Sequence, residues 1–201
     1  GGFFKREGKP TEKEILSSRL IDRPIRPLFS DDYKNDTQIA AFVYSFDGEN
    51  DTDVLAAVGA SAALHISDIP FLEPIGQVRV GRVNGEFIVN PTNQQIEQSD
   101  MELVVGGTET SLLMVEGESK NISEEDLLNA LRLAHDSIKK IVAVQHELRE
   151  LTGKPKMVVQ AKEFDPELLS DVNALAKEKF ASIKLKLLSG GIGKHLLIAF
   201  L

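Results

Sequence analysis

Residues 124–151 carry apolar side chains at Leu127, Leu128, Leu131, Ala134, Ile138, Ile141, Val142 and Leu148, a helical spacing kept without interruption. Ser123 supplies an N-cap, and Gly153-Lys154-Pro155 stops the helix. A helix of this length with one apolar side needs a broad apolar surface to lie on. The residues before it can build that surface. Asn84-Gly85 separates Val78-Arg79-Val80-Gly81-Arg82-Val83 from Glu86-Phe87-Ile88-Val89, the signal for a two-residue primed turn. Residues 101–105 and 112–115 form a second hairpin. Strands followed by one long packed helix give an α+β architecture.

The remaining elements are shorter. Thr11 and Glu14 make a capping box that opens a helix running to about Asp22, where Pro24 interrupts or restarts it. Residues 38–46 alternate as a strand does. A second helix over 54–65 is rich in alanine and glycine, so it reads as buried close against a sheet. After a bridge over 156–164, a further helix from Pro166 to about Ile183 starts a separate helical unit. There is no internal repeat and no low-complexity tract.

Composition sets limits on chemistry. With no cysteine, a disulfide framework, a thiolate metal site and a cysteine nucleophile are all excluded, and a reducing, cytoplasmic setting fits. The longest apolar stretch, 196–201, is far short of the roughly 20 residues that span a bilayer, so no membrane partner is expected. The net charge of −8 argues against a nucleic-acid partner until its distribution is considered. Residues 1–26 hold seven basic groups against four acidic ones.

Two constellations lie in that basic segment. Phe3 and Phe4 adjoin Lys5 and Arg6 in a glycine-flanked loop, where rings can stack on bases while cations hold phosphates; the alternative is a loop anchored in the core by its phenylalanines. Arg19, Arg23 and Arg26 recur at i, i+4 and i+7, one side of a helix if Pro24 does not break its course. Against a binding stripe stands Asp22, which can neutralise it as a solvated ladder. His65, His135, His146 and His195 have no metal-ligand spacing around them and read as surface or packing residues. Residues 189–194, Ser-Gly-Gly-Ile-Gly-Lys, match a phosphate loop in composition but not in spacing.

The opening run Gly-Gly-Phe-Phe-Lys-Arg-Glu-Gly-Lys-Pro-Thr-Glu-Lys-Glu-Ile-Leu-Ser-Ser-Arg-Leu-Ile-Asp-Arg-Pro-Ile-Arg-Pro-Leu-Phe resembles the signature of the first core of polynucleotide phosphorylases. The likeness continues through Glu-Asn-Asp-Thr-Asp-Val-Leu-Ala at 49–56, Pro74-Ile75-Gly76, Asn90-Pro91-Thr92 and Leu-Leu-Met-Val-Glu at 112–116, and covers residues 1–183. It implies an RNase PH-like core, with its N-terminal strands missing, over 1–153. A linker over 154–164 and the beginning of a helical domain with an atypical tail over 165–201 follow.

The activity so implied is phosphate-dependent 3′ to 5′ degradation of single-stranded RNA to nucleoside diphosphates, reversible to polymerisation. Inorganic phosphate is the co-substrate, and magnesium or manganese is held by a second core. The subunits form a homotrimeric ring, with other RNA-degradation proteins as further partners. Phe3, Phe4, Lys5, Arg6, Lys9, Arg19, Arg23 and Arg26 match family positions along the RNA path.

In the family, phosphate and metal are held through a motif of the form Asp-His-x-Gly-Asp-x-Asp-Phe-Lys-Val-Ala-Gly-Thr. Residues 96–108 here read Ile-Glu-Gln-Ser-Asp-Met-Glu-Leu-Val-Val-Gly-Gly-Thr. They keep an acid at Glu102 but place Ile96 and Val104 where the first Asp and the Lys stand. Apolar groups there neither coordinate a metal nor neutralise a phosphoryl charge. The implied role is therefore RNA threading and ring packing, with no catalytic or metal-binding residue in this core. The rival is a non-catalytic RNA-binding subunit of an exosome-like ring.

Overall fold

The computed structural model describes residues 10–160 and 165–189. The chain divides into two units, 1–159 and 160–201. In the first, helix α1 (Glu12–Ile25) ends in a 3-10 turn (Arg26–Leu28), and α2 (Asp53–Ile66) follows a stretch without helix or strand. Strands β1 (Gly76–Val83) and β2 (Glu86–Val89), the short α3 (Asn93–Glu97), β3 (Met101–Gly107), β4 (Leu112–Ser119) and the long α4 (Glu124–Thr152) complete it. The second unit contains α5 (Pro166–Ser189), which passes the boundary expected near Ile183; residues 190–201 lie outside the described residues.

The four strands form one antiparallel sheet in the order β2-β1-β3-β4, and the α+β expectation is borne out. Asn84 and Gly85 both take positive φ, 52° and 84°, as a primed two-residue turn demands. The turn sets the register of Val83 opposite Glu86. Because side chains alternate, that register sends Val78, Val80, Leu103 and Val105 to one face, where they meet Ala130, Ala134, Ile138 and Val142 of α4. Each fully buried Val or Ile side chain among them contributes about 1.5–3 kcal/mol. A Cβ on Gly76 would stand 2.9 Å from the Ile138 carbonyl oxygen, so glycine lets β1 begin directly beneath α4.

The opposite face carries Gln77 and Arg79 of β1 beside Glu102 and Val104 of β3, and α1 and α2 cover it. Its apolar contacts are few: Val104 packs with Val54, Met114 and Leu20. Beyond the sheet edge, Phe71 is fully buried in a second cluster with Ile25, Ala60, Leu64 and Ile75, and its ring lies 5.6 Å from that of Phe29.

Three local expectations change. Pro24 does not break α1, which runs on to Ile25; proline's fixed φ suits a helix, and only one backbone hydrogen bond is lost near the helix end. Residues 38–46 belong to no strand and pair with none among the described residues. Tyr44 is 95% exposed there and Phe42 74%, because alternation creates a strand only where a neighbour completes its ladder. Helix α2 is buried on one face only: Ala57, Ala60, Ser61 and Leu64 are covered, whereas Leu55 is 72% exposed.

The C-terminus of α2 is tied down by polar groups. Lys156 Nζ donates to the carbonyls of Leu64 and Ser67, both at 2.9 Å, and Arg149 donates to that of His65 at 2.8 Å. Nearby, Ser61, Gln145 and the backbone of Ile75 close a buried hydrogen-bonded triangle with every edge 2.8 Å. His65 is buried, with its Nε2 3.2 Å from Nδ1 of His146 and the rings edge to face. Of the expected surface or packing histidines, His65 is thus a core residue paired with an exposed one.

Burial, with Arg149, His146 and Lys156 adding positive charge nearby, pushes the His65 imidazolium down to about 4. The unfolded chain therefore takes up a proton on this residue that the folded chain refuses, and stability falls as pH drops below about 6.5. Melting temperature is expected to fall from pH 6.5 to pH 5, above the carboxylate range. His65→Gln should flatten that slope; an unchanged slope would count against the assignment.

Candidate functional site

The capping box at Thr11 and Glu14 forms as the spacing requires and fixes where α1 starts. That start decides which residues α1 turns outward. Arg19, Arg23 and Arg26 are all exposed along it and its 3-10 extension. Two of the three face carboxylates. Arg26 forks onto Asp22, with Nη2 2.7 Å from Oδ1 and Nε 3.1 Å from Oδ2, the neutralising pair that the sequence allowed. Arg23 reaches across to Glu116 of β4. Arg19 makes no ion pair among the described residues. Phe3, Phe4, Lys5, Arg6 and Lys9 lie outside the described residues.

Beneath α1, charge is concentrated around Arg79. Its guanidinium donates to Asp53 at 2.6 Å and to Glu102, with Asp51 4.0 Å away. Arg79 and Asp53 are both buried. Lys13 of α1 takes the other oxygen of Asp51 at 3.0 Å. Burial pushes the Asp51 carboxyl up, but Lys13, Arg79 and the Thr52 amide outweigh it and leave it below its ordinary value. These groups line an open cavity of about 670 Å³ that also includes Arg19 and Glu118.

A second arginine, Arg82, bridges Asp100 at 2.7 Å and Asp126 at 2.6 Å, tying β1 to the head of α4. Hydrogen bonds from Arg82 hold the Asp100 carboxyl below its usual range; at Asp126 the Ser123 hydroxyl does so first and Arg82 second. Neither hub was picked out as a site from the sequence. The signal was present for Arg79: between Val78 and Val80 in an alternating strand, it must share the face opposite the apolar one.

The stretch expected to have lost its metal chemistry can now be placed. Ile96 is half-buried on α3, and Val104 is buried between α1, α2 and the sheet. Neither offers a donor atom. Glu102 does, but it is committed to Arg79. Among the described residues there is no group of three or more His, Asp or Glu side chains arranged to hold a metal ion. The donor set therefore does not fit a divalent ion.

The model of the 3′ exoribonuclease family, domain 1, matches residues 1–70, and that of domain 2 matches residues 73–137. The chain is 52% identical over 94% of its length to a polyribonucleotide nucleotidyltransferase of Chlorobaculum tepidum, of which it covers 25%. It is 51% identical over 92% of its length to that of Geobacter sulfurreducens, covering 26%. For Sulfurihydrogenibium azorense the figures are 54% identity over 89%, covering 25%. The chain thus spans about a quarter of the length of the curated relatives it matches. Its fold resembles the crystal structure of rice (Oryza sativa) Rrp46, with a TM-score of 0.54 over 71% of this chain and 68% of that one at 12% identity. Matched in turn by both domains of one family, the chain belongs to the 3′ exoribonuclease family, where it is similar to the polyribonucleotide nucleotidyltransferases.

Proposed function

We propose that this chain is the RNA-guiding core of a polyribonucleotide nucleotidyltransferase. The whole enzyme shortens single-stranded RNA from its 3′ end with inorganic phosphate and releases nucleoside diphosphates. The observation that carries the reading is the state of the acid that survives in the motif stretch: Glu102 is bound to Arg79, and its neighbours in the motif are Ile96 and Val104. In this reading the magnesium or manganese ion belongs to a second core, where it would assist the phosphate chemistry. Residues 1–153 form the guiding core, 154–164 link it, and 165–201 begin a helical domain. The enzyme works as a cytoplasmic homotrimer alongside other RNA-degradation proteins. The half-identical relatives favour this over a subunit of an exosome-like ring.

RNA contact falls to Phe3, Phe4, Lys5, Arg6 and Lys9, with Arg19, Arg23 and Arg26 behind them. Of the three helical arginines, Arg19 supplies the attraction most directly, since Arg23 and Arg26 already face carboxylates. Stacking is worth about 1–3 kcal/mol per base. Replacing both Phe3 and Phe4 by alanine in the assembled ring is therefore expected to weaken capture of single-stranded RNA at least tenfold, measured by fluorescence anisotropy. Capture should also weaken with salt. Unchanged affinity in the double variant would remove the loop from the RNA path.

A further inference from the structure

The cavity beneath α1 brings together carboxylates from separate parts of the chain: Asp51 and Asp53 at the head of α2, Glu102 on β3 and Glu118 on β4. So much negative charge calls for a cation, although the carboxylates are not arranged as a group that could hold a metal ion. Here a side chain is already in that place. Arg79 is 9% exposed, and its fork spans Asp53 and Glu102 while Asp51 stays within 4.0 Å. The two oxygens of Asp51 are divided between Arg79 and Lys13.

We propose that Arg79 is the resident cation of this cavity: its tethered guanidinium holds Asp53 and Glu102 together and closes the carboxylate cluster to Mg²⁺ and Mn²⁺. Three features support this. A guanidinium is a permanent cation in proteins. Its planar fork satisfies two carboxylates at once, which a point charge does with poorer geometry. A divalent ion needs about six oxygen ligands close around it, and it would have to displace a cation covalently attached to the same sheet. The inference deepens the reading of a guiding core, but it concerns ion binding and not RNA. A folded R79Q that binds no Mn²⁺ would overturn this inference alone, whereas a wild-type Mn²⁺ site at Glu102 would overturn both, since both rest on Glu102 being held by Arg79.

The test is titration of the full chain with Mn²⁺ at pH 7, following free Mn²⁺ by electron paramagnetic resonance. The wild type is expected to show no stoichiometric site. Arg79→Gln, which frees Asp53 and Glu102, should bind one Mn²⁺ at least tenfold more tightly than the wild type, and adding E102Q should abolish the gain. Arg79→Lys keeps a cation in place and should show no gain. If R79Q is poorly folded, Mn²⁺ but not an equal ionic strength of Na⁺ should raise its melting temperature, while the wild type does not respond. A wild-type site for one Mn²⁺ that E102Q removes would overturn the proposal. So would a folded R79Q that binds no better than wild type, or an unfolded one that Mn²⁺ does not restore.

Discussion

Replacing Arg79 by alanine is expected to lower the free energy of unfolding by about 3 kcal/mol, read from urea denaturation. The size comes from what is left behind rather than from what is lost. Asp53 is buried and Glu102 half-buried, and without the guanidinium they face one another across a cavity with no cation between them. Neutralising Arg79 together with the two acids it hydrogen-bonds should act differently. In the triple variant R79M/D53N/E102Q no charge is stranded, so stability should recover most of the way toward wild type. That outcome would separate the cost of breaking a buried ion pair from the net worth of having one. A triple variant as unstable as R79A would place the effect in lost packing around the arginine stem.

The second large effect is expected at Phe71, in an apolar cluster. Its ring is fully buried among Ile25, Ala60, Leu64 and Ile75, and it also touches Phe29. Phe71→Ala should cost about 3–5 kcal/mol, because the residues around the cavity belong to different elements and cannot all collapse inward together. Phe29 in turn stacks on Tyr33 at 5.6 Å. The loss should therefore reach the 3-10 turn that carries Arg26. Faster amide exchange at residues 26–33 in Phe71→Leu, a milder change that keeps the fold, would report this. Exchange unchanged there would confine the role of Phe71 to its own cluster.

These two residues show where the chain was legible and where it was not. The hairpin at Asn84-Gly85, the capping box at Thr11 and the long helix after Ser123 rest on local signals: φ preference, cap chemistry and 3.6-residue periodicity. Each formed where expected. Residues 38–46 have an equally clear period, but a strand is a property of two segments, and one segment's pattern cannot show whether its neighbour is there. The α2 helix misled for a related reason. Small residues permit close packing on either side, and only the fold shows that Leu55 and Ala63 look outward while Ala57 and Ala60 look in.

The arginine stripe was legible as spacing but not as charge. Arg19, Arg23 and Arg26 do share α1 and its extension, yet Glu116, ninety-three residues away in sequence, takes Arg23. Long-range ion pairs leave no periodic trace. The same holds for Arg79, whose carboxylates come from α2 and β3. What could be read directly was the loss of donors at Ile96 and Val104, since an aliphatic side chain offers no ligand atom in any fold.

The central claim, that this core guides RNA while the chemistry lies elsewhere, is tested most directly by phosphorolysis. Poly(A) incubated with inorganic phosphate, Mg²⁺ and this chain should release no ADP, while a full-length polyribonucleotide nucleotidyltransferase assayed in parallel releases it steadily. Phosphate-dependent ADP release by this chain at a rate comparable to the full-length enzyme would contradict it.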